Sequence, residues 1–307
     1  MEKIKSTTII YNPKSSHFNF NELDDLEYVL KKKKIKDNVI KSTNPHDVNR
    51  IIKDCDDYDN LIITIGGDGT VSNCYKALNE INQKGIYTHI PRGTTNDMAS
   101  NYNVIKKDAK DIIMDALNGE ITYFDSYKVN DCVAAYVSAF GKFTQIPYTA
   151  NFNFKKNFGH AAYVLSSAKD FLTKNKKYLI EYNIDGEKGF ESCVLGIVSN
   201  SKKFGGVSIY PNANLNDEKI EILLLKDLKP SLVKVLFKDY LNNTIDIEKY
   251  KDYVFLASGK NIKLQFKQNY PKYPVDIDGE NSHVLPTFLD DKLEFEIAKK
   301  IRVLKNK

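Results

Sequence analysis

The most constraining stretch of the chain is Leu61-Ile62-Ile63-Thr64-Ile65, followed at once by Gly66-Gly67-Asp68-Gly69-Thr70. A run of apolar and β-branched residues predicts a strand buried on both faces. The glycines predict a tight turn, after which Val71, Cys74, Tyr75, Leu78 and Ile81 continue at helical spacing. Strand, glycine turn, helix is the repeating unit of a parallel sheet covered by helices. The same order recurs on both sides. Ser6–Tyr11 reads as a buried strand turning at Asn12-Pro13, and Ile86–Ile90 runs into Pro91-Arg92-Gly93-Thr94-Thr95-Asn96-Asp97, with a helix predicted beyond. Between them, Asn21 can cap a helix that carries Leu23, Leu26, Val29 and Leu30 on one stripe and ends in Lys31–Lys34. Ile35–Lys41 supplies another strand, and Asp47–Cys55 is weakly helical.

The pattern changes near residue 121. Short strands separated by turn residues follow, among them Lys128–Val133, Tyr178–Ile184, Cys193–Ser199, Lys219–Leu225 and Asn261–Phe266. Ala161–Leu172 and Ser231–Leu241 interrupt them as helices, and Asp291–Val303 alternates again and can pair back onto either part. The expected fold is α/β + β. A Rossmann-like three-layer α/β domain with the glycine loop spans 1–125, completed by 292–307, and a mainly antiparallel β-sandwich domain spans 126–291. A length of 307 residues suits two such domains.

Composition narrows the function classes. Lys and Arg number 45 against 40 Asp and Glu, a net charge of +5 spread along the chain, so a dedicated nucleic-acid protein is not expected. Cys55, Cys74, Cys132 and Cys193 form no CxxC, and the five histidines form no HExxH, which gives no support to a zinc site. No apolar run approaches the ~20 residues of a membrane-spanning helix, and the first residues lack the apolar core of a secretory signal. The expectation is a cytoplasmic chain whose membrane contact is peripheral.

Glycines let a backbone approach a phosphate or take up positive φ, and the following helix N-terminus favours an anion. Asp68 is the odd member of such a loop, because a carboxylate repels phosphate unless a divalent cation lies between them. Pro91–Asp97 repeats the ingredients: a glycine, hydroxyls and an acid at a strand end. No GxxxxGK[ST] or GxGxxG is present in these loops, so neither a Walker loop nor a dinucleotide fingerprint applies.

Gly-Gly-Asp-Gly-Thr followed by Pro91-Arg92-Gly93-Thr94-Thr95-Asn96-Asp97 resembles the diacylglycerol kinase family, in its soluble bacterial lipid-kinase branch. Asn12-Pro13-Lys14-Ser15-Ser16 resembles that family's N-P-x-S-G opening, with Ser16 in place of glycine. Phe124-Asp125, the Asn212–Asp217 segment and Asp278-Gly279-Glu280 resemble its later motifs in the same order, with Glu218 where the family usually has glycine. The resemblance implies ATP and Mg²⁺ as cofactors. It implies that Asn12, Thr43, Gly66, Gly67, Asp68, Gly69, Thr70, Ser72, Gly93, Thr94 and Asn96 bind ATP. It further implies that Asp68, Asp97 and Asp125 form a carboxylate network linked through water to catalytic Mg²⁺, and that Glu280 is the general base. Asp217, with carbonyls of Asn214 and Lys219, would hold a second Mg²⁺. The implied reaction transfers the γ-phosphate of ATP to a lipid hydroxyl, diacylglycerol being the leading acceptor and phosphatidic acid the product. A kinase of the NAD-kinase type and a non-catalytic nucleotide or lipid sensor are the alternatives. The implied partner is lipid at a membrane surface, met peripherally and transiently, and a homodimer is compatible with the reading. The aromatic and cationic stretch Phe143, Tyr148, Phe152, Phe154, Lys155, Lys156, Phe158 and Tyr163 suits either a membrane interface or half-buried strands.

Overall fold

A computed structural model of the chain describes residues 4–104, 107–142, 177–205, 207–210, 212–242, 244–267, 275–282 and 292–306. The aromatic and cationic stretch of 143–163 and the helix expected at Ala161–Leu172 lie outside the described residues. The elements are β1 (Ser6–Tyr11), α1 (Asn21–Lys32), β2 (Lys36–Lys41), α2 (Pro45–Cys55), β3 (Asn60–Gly66), α3 (Asp68–Glu80), β4 (Ile86–Pro91), α4 (Ala109–Leu117) and β5 (Glu120–Val129). They continue with β6 (Cys132–Ala134), β7 (Val137–Gly141), β8 (Tyr178–Ile184), β9 (Glu187–Cys193), β10 (Leu195–Ser199), β11 (Lys203–Phe204), β12 (Val207–Ser208) and β13 (Ile220–Leu225). The last are α5 (Pro230–Leu241), β14 (Val254–Gly259), β15 (Asn261–Phe266), β16 (Val275–Ile277), β17 (Glu280–Ser282) and β18 (Lys292–Lys305). The chain divides into two compact units, Met1–Ser126 with Ala298–Lys307, and Tyr127–Ile297.

In the first unit β2, β1, β3 and β4 lie side by side and parallel, and Val303 of β18 pairs in parallel with Tyr87 of β4. Every residue of β3 and β4 is buried, as an unbroken apolar run demands of a central strand covered on both faces. Chain order reverses between β1 and β3. With right-handed crossovers this sends α1 and α2 to opposite faces, and it opens a crevice beyond the carboxyl ends of β1 and β3. Helix α1 packs with α4, and α2 with α3.

The helix starts differ from expectation in two places. Asn21 does not cap α1: Phe20 stands at the cap position with no side-chain bond, and the Asn19 side chain accepts the Asn21 N–H at 3.1 Å. Helix α2 begins two residues earlier than expected, at Pro45, because Asn44 and Asp47 form a reciprocal capping box around a proline already fixed at helical φ.

The second unit is antiparallel throughout its two main layers. One runs β14-β13-β10-β7-β16-β17, and the other pairs β9 with β8, β8 with β15, and β15 with the first residues of β18. Both layers feed one core, which includes Tyr127, Phe140, Ile180, Ile222, Leu264 and Phe295. Two expected strands are each broken. Lys128–Val133 is a hairpin joining β5 to β6 through Asn130, whose φ of 50° is left-handed. Cys193–Ser199 is interrupted at Val194, which separates β9 from β10.

Candidate active site

The glycine loop leaves β3 at Gly66, and α3 starts at Asp68 with Gly67 as its cap. Gly67 is extended, at φ −99°, and neither Gly66, Gly69 nor Gly93 is left-handed. Close approach explains three of the four instead. A Cβ on Gly93 would lie 2.5 Å from the Gly67 Cα, one on Gly67 would lie 3.0 Å from the Gly93 Cα, and one on Gly66 would meet the Thr70 hydroxyl at 2.2 Å. The two loops therefore touch backbone to backbone. Gly69 is different: a Cβ there would meet nothing within 4 Å. No protein atom requires a glycine at 69. The open volume lies on the first turn of α3, where the field favours an anion, although the Thr70 N–H already donates to the Gly67 carbonyl at 2.9 Å.

Asp68 turns toward the second loop. Its two carboxylate oxygens accept the N–H of Asp97 at 3.1 Å and of Met98 at 3.0 Å. These bonds tie the Asp68 carboxylate to the second loop. Burial, and then the neighbouring Asp97 charge, push the Asp68 carboxyl up to about 6. In place of the helix expected after Asp97 stands a 3-10 turn, Asp97–Ser100, preceded by left-handed Asn96 at φ 54°. The Asn96 side chain does not cap that turn. Its amide folds back on Gly93, accepting the Gly93 N–H at 2.8 Å and donating to the Gly93 carbonyl at 2.7 Å. Thr94 is left exposed at the loop tip, its hydroxyl 3.0 Å from that of Ser16.

The remaining expected residues divide. Asn12 belongs to the same edge, its N–H donating to the Ile65 carbonyl at 3.0 Å and its side chain accepting the Lys14 N–H at 3.0 Å. Thr70 and Ser72 are buried in α3. The Thr43 hydroxyl donates to Asp47 at 2.5 Å and accepts from the Asn44 side chain at 3.2 Å, so it serves the start of α2. Asp125 is fully buried in β5, with the Lys300 ammonium 3.9 Å from its carboxylate. Asp217 accepts the Lys219 N–H at 3.1 Å, and Asn214 accepts the Asn216 N–H at 3.2 Å, which makes the segment a pair of side-chain-closed turns. Glu218 pairs with Lys260 at 2.6 Å rather than joining Asp217. Among the described residues, no three His, Cys, Asp or Glu side chains come together as a metal cage. Mg²⁺ usually takes one or two carboxylates with waters and phosphate oxygens, so sparse acids still suit it. Glu280 opens β17 opposite Ile277, and its side chain lies outside the described part.

Residues 6–129 match the diacylglycerol kinase catalytic domain. Over that stretch the chain is similar to the diacylglycerol kinase family. Over 228 residues it is 25% identical to the diacylglycerol kinase of Bacillus subtilis strain 168, covering 74% of this chain and 73% of that one. Over 297 residues it is 23% identical to the diacylglycerol kinase of Staphylococcus saprophyticus, covering 95% of both. The crystal structure of a diacylglycerol kinase from Bacillus anthracis str. Sterne superposes with a TM-score of 0.73 at 19% identity, over 98% of this chain and 97% of that one. At that identity the likeness is one of fold: an α/β domain followed by a mostly antiparallel β domain.

The contacts of three residues in these motifs escape the sequence. Arg92 donates from Nε to Glu22 at 2.6 Å and from a terminal nitrogen to the Pro91 carbonyl at 2.6 Å, tying the second loop to α1. Asp278, in the Asp-Gly-Glu segment of the second unit, accepts the N–H groups of Ala135, Tyr136 and Val137 at 2.8–3.1 Å, at φ 55°. With Gly279 it makes the left-handed two-residue turn that joins β16 to β17, and its side chain is at the same time a buried brace. Ser16 meets Thr94 across 78 positions of sequence. Only the aspartate carries a local signal, as an acid before glycine.

Proposed function

We propose that the protein is an ATP- and Mg²⁺-dependent lipid kinase that transfers the γ-phosphate of ATP to a lipid hydroxyl, with diacylglycerol as the acceptor and phosphatidic acid as the product. The observation that carries this reading is Gly69. A Cβ there would meet no protein atom within 4 Å at the start of α3, and two residues before it Gly67 touches Gly93 of the second loop, all within the stretch that matches the kinase catalytic domain. Main-chain N–H groups there suit the phosphates of ATP, and the exposed Thr94 hydroxyl adds a donor. Mg²⁺ would supply charge neutralisation on those phosphates, with Asp97 and Asp125 as the acids assigned to hold its waters. Asp68 keeps the loop that carries Asp97 in place. Glu280 is assigned as the base that takes the proton from the acceptor hydroxyl. Contact with lipid is assigned as peripheral and transient, from the cytoplasmic side, with no nucleic-acid partner, and a homodimer is compatible with it. Among the described residues no helix is long and apolar enough to cross a membrane.

Radiolabelled ATP offered with diacylglycerol, ceramide, monoacylglycerol, phosphatidylglycerol and a polyprenol in detergent micelles tests the reading by chromatography of the products. Label in phosphatidic acid, abolished by EDTA, is the expected result. Glu280→Gln should lower turnover about 10²–10⁴-fold while leaving ATP affinity unchanged. Label transferred to no lipid, or transferred as well by the glutamine variant, overturns the assignment.

A further inference from the structure

The loop between β1 and α1 carries three aromatic rings packed on one another. Tyr11 stacks on Phe18 with centroids 5.2 Å apart and planes 16° apart, and Phe20 stands edge-on to both, at 5.1 Å from Phe18 and 6.2 Å from Tyr11. Tyr11 and Phe18 are half-buried, whereas Phe20 is 61% exposed. A phenylalanine so placed forgoes much of its burial, so its open ring calls for an occupant.

The location narrows what that occupant is. Tyr11 pairs with Ile65, the residue just before Gly66, at the carboxyl edge of the parallel sheet and on the crevice between β1 and β3. The loop is fastened to both glycine loops. The Asn12 N–H donates to the Ile65 carbonyl at 3.0 Å, the His17 N–H donates to the Arg92 carbonyl at 3.1 Å, and the Ser16 and Thr94 hydroxyls meet at 3.0 Å. Glu22, in the first turn of α1, holds Arg92 at 2.6 Å. The rings are thus a fixed surface, one ring wide, beside the loops assigned to the phosphates. A rigid aromatic face next to a phosphate site is matched by a flat π-system joined to a phosphate chain.

We propose that Phe20, backed by Tyr11 and Phe18, is the platform on which the purine base of the nucleotide stacks. The assignment rests on the reading that the glycine loops hold the phosphates of ATP. Stacking requires no hydrogen bond to the base, so its removal should affect nucleotides and spare the bare phosphate chain. One exposed ring is too small a surface to hold a bilayer, which makes lipid the lesser occupant.

The chain contains no tryptophan, so Phe20→Trp installs a single indole reporter at the site. ATP should quench its emission saturably. Inorganic tripolyphosphate should compete with ATP in calorimetry yet leave the emission unchanged, and phosphatidylglycerol vesicles without nucleotide should also leave it unchanged. In the otherwise native protein, Phe20→Ala should weaken ATP binding about ten-fold and leave tripolyphosphate affinity within about two-fold. Calorimetric ATP binding with no change in indole emission, together with full ATP affinity in Phe20→Ala, overturns the platform alone. A blue shift with vesicles in place of ATP quenching overturns it in favour of a lipid contact. Binding of neither ATP nor tripolyphosphate overturns the kinase reading, and the platform with it.

Discussion

Glu218 holds a left-handed backbone, φ 59°, that an L-residue with a long side chain adopts at a cost of about 1–2 kcal/mol. The motif it resembles would have glycine here, and its charge makes it look like an added metal ligand. Its partner Lys260, 42 positions away, is what local sequence does not reveal. Both side chains of this pair are about half exposed, so the ion pair returns little of the backbone cost. Glu218→Gly should therefore stabilise the protein by about 1 kcal/mol, whereas Glu218→Ala keeps the backbone penalty and loses the pair. Urea unfolding of the two variants side by side checks this, and equal midpoints would show that the backbone there carries no strain.

Elements were legible where a single period ran unbroken. β3 and β4 are buried along their whole length, and their apolar runs state as much. The hairpin at Asn130 was not, because β-forming residues flank it closely and one left-handed residue makes the turn. The start of α1 was missed for a related reason: an aromatic residue stands at the cap position, and the asparagine before it does the bonding. Glycine and acid marked both loops of the site, but not how they meet. Asp68 reads in sequence as a phosphate-side acid, yet its oxygens brace the second loop. Asp68→Asn would turn an amide N–H₂ toward one of those two backbone donors. The loss of one charge-assisted bond and the new donor–donor contact should cost about 1–3 kcal/mol and loosen Asp97–Ser100. Thermal unfolding together with amide exchange of Asp97 and Met98 measures it. Protection equal to the parent's at both amides would contradict the bracing role.

Across the first unit, buried His89 and half-buried Asp68 pull stability in opposite directions as pH falls. His89, 1% exposed in β4, has its ring nitrogen 2.9 Å from the Thr64 hydroxyl, which in turn meets the Tyr87 hydroxyl at 2.7 Å. Burial, and then the charge of Arg92, lower the imidazole from 6.5 to about 3. Between those values the unfolded chain takes up a proton that the folded chain refuses, so this histidine costs stability as pH falls from about 6.5 to about 3. Asp68, raised from 3.8 to about 6, has the reverse sign: the folded chain holds a proton that the unfolded chain releases, so stability rises as pH falls through that window. Each slope is at most about 1.4 kcal/mol per pH unit, and the two largely cancel between about pH 6 and pH 4. His89→Gln keeps a polar group near Thr64 but cannot titrate. At pH 7 it should be somewhat less stable than the parent, because its shape differs in a close-packed core. On acidification from pH 7 to pH 4 that deficit should shrink and then reverse, since only the parent bears the histidine term. Unfolding free energies of the two proteins at several pH values in this range decide the matter, and a difference that stays constant with pH would mean that His89 titrates alike in the folded and unfolded chain.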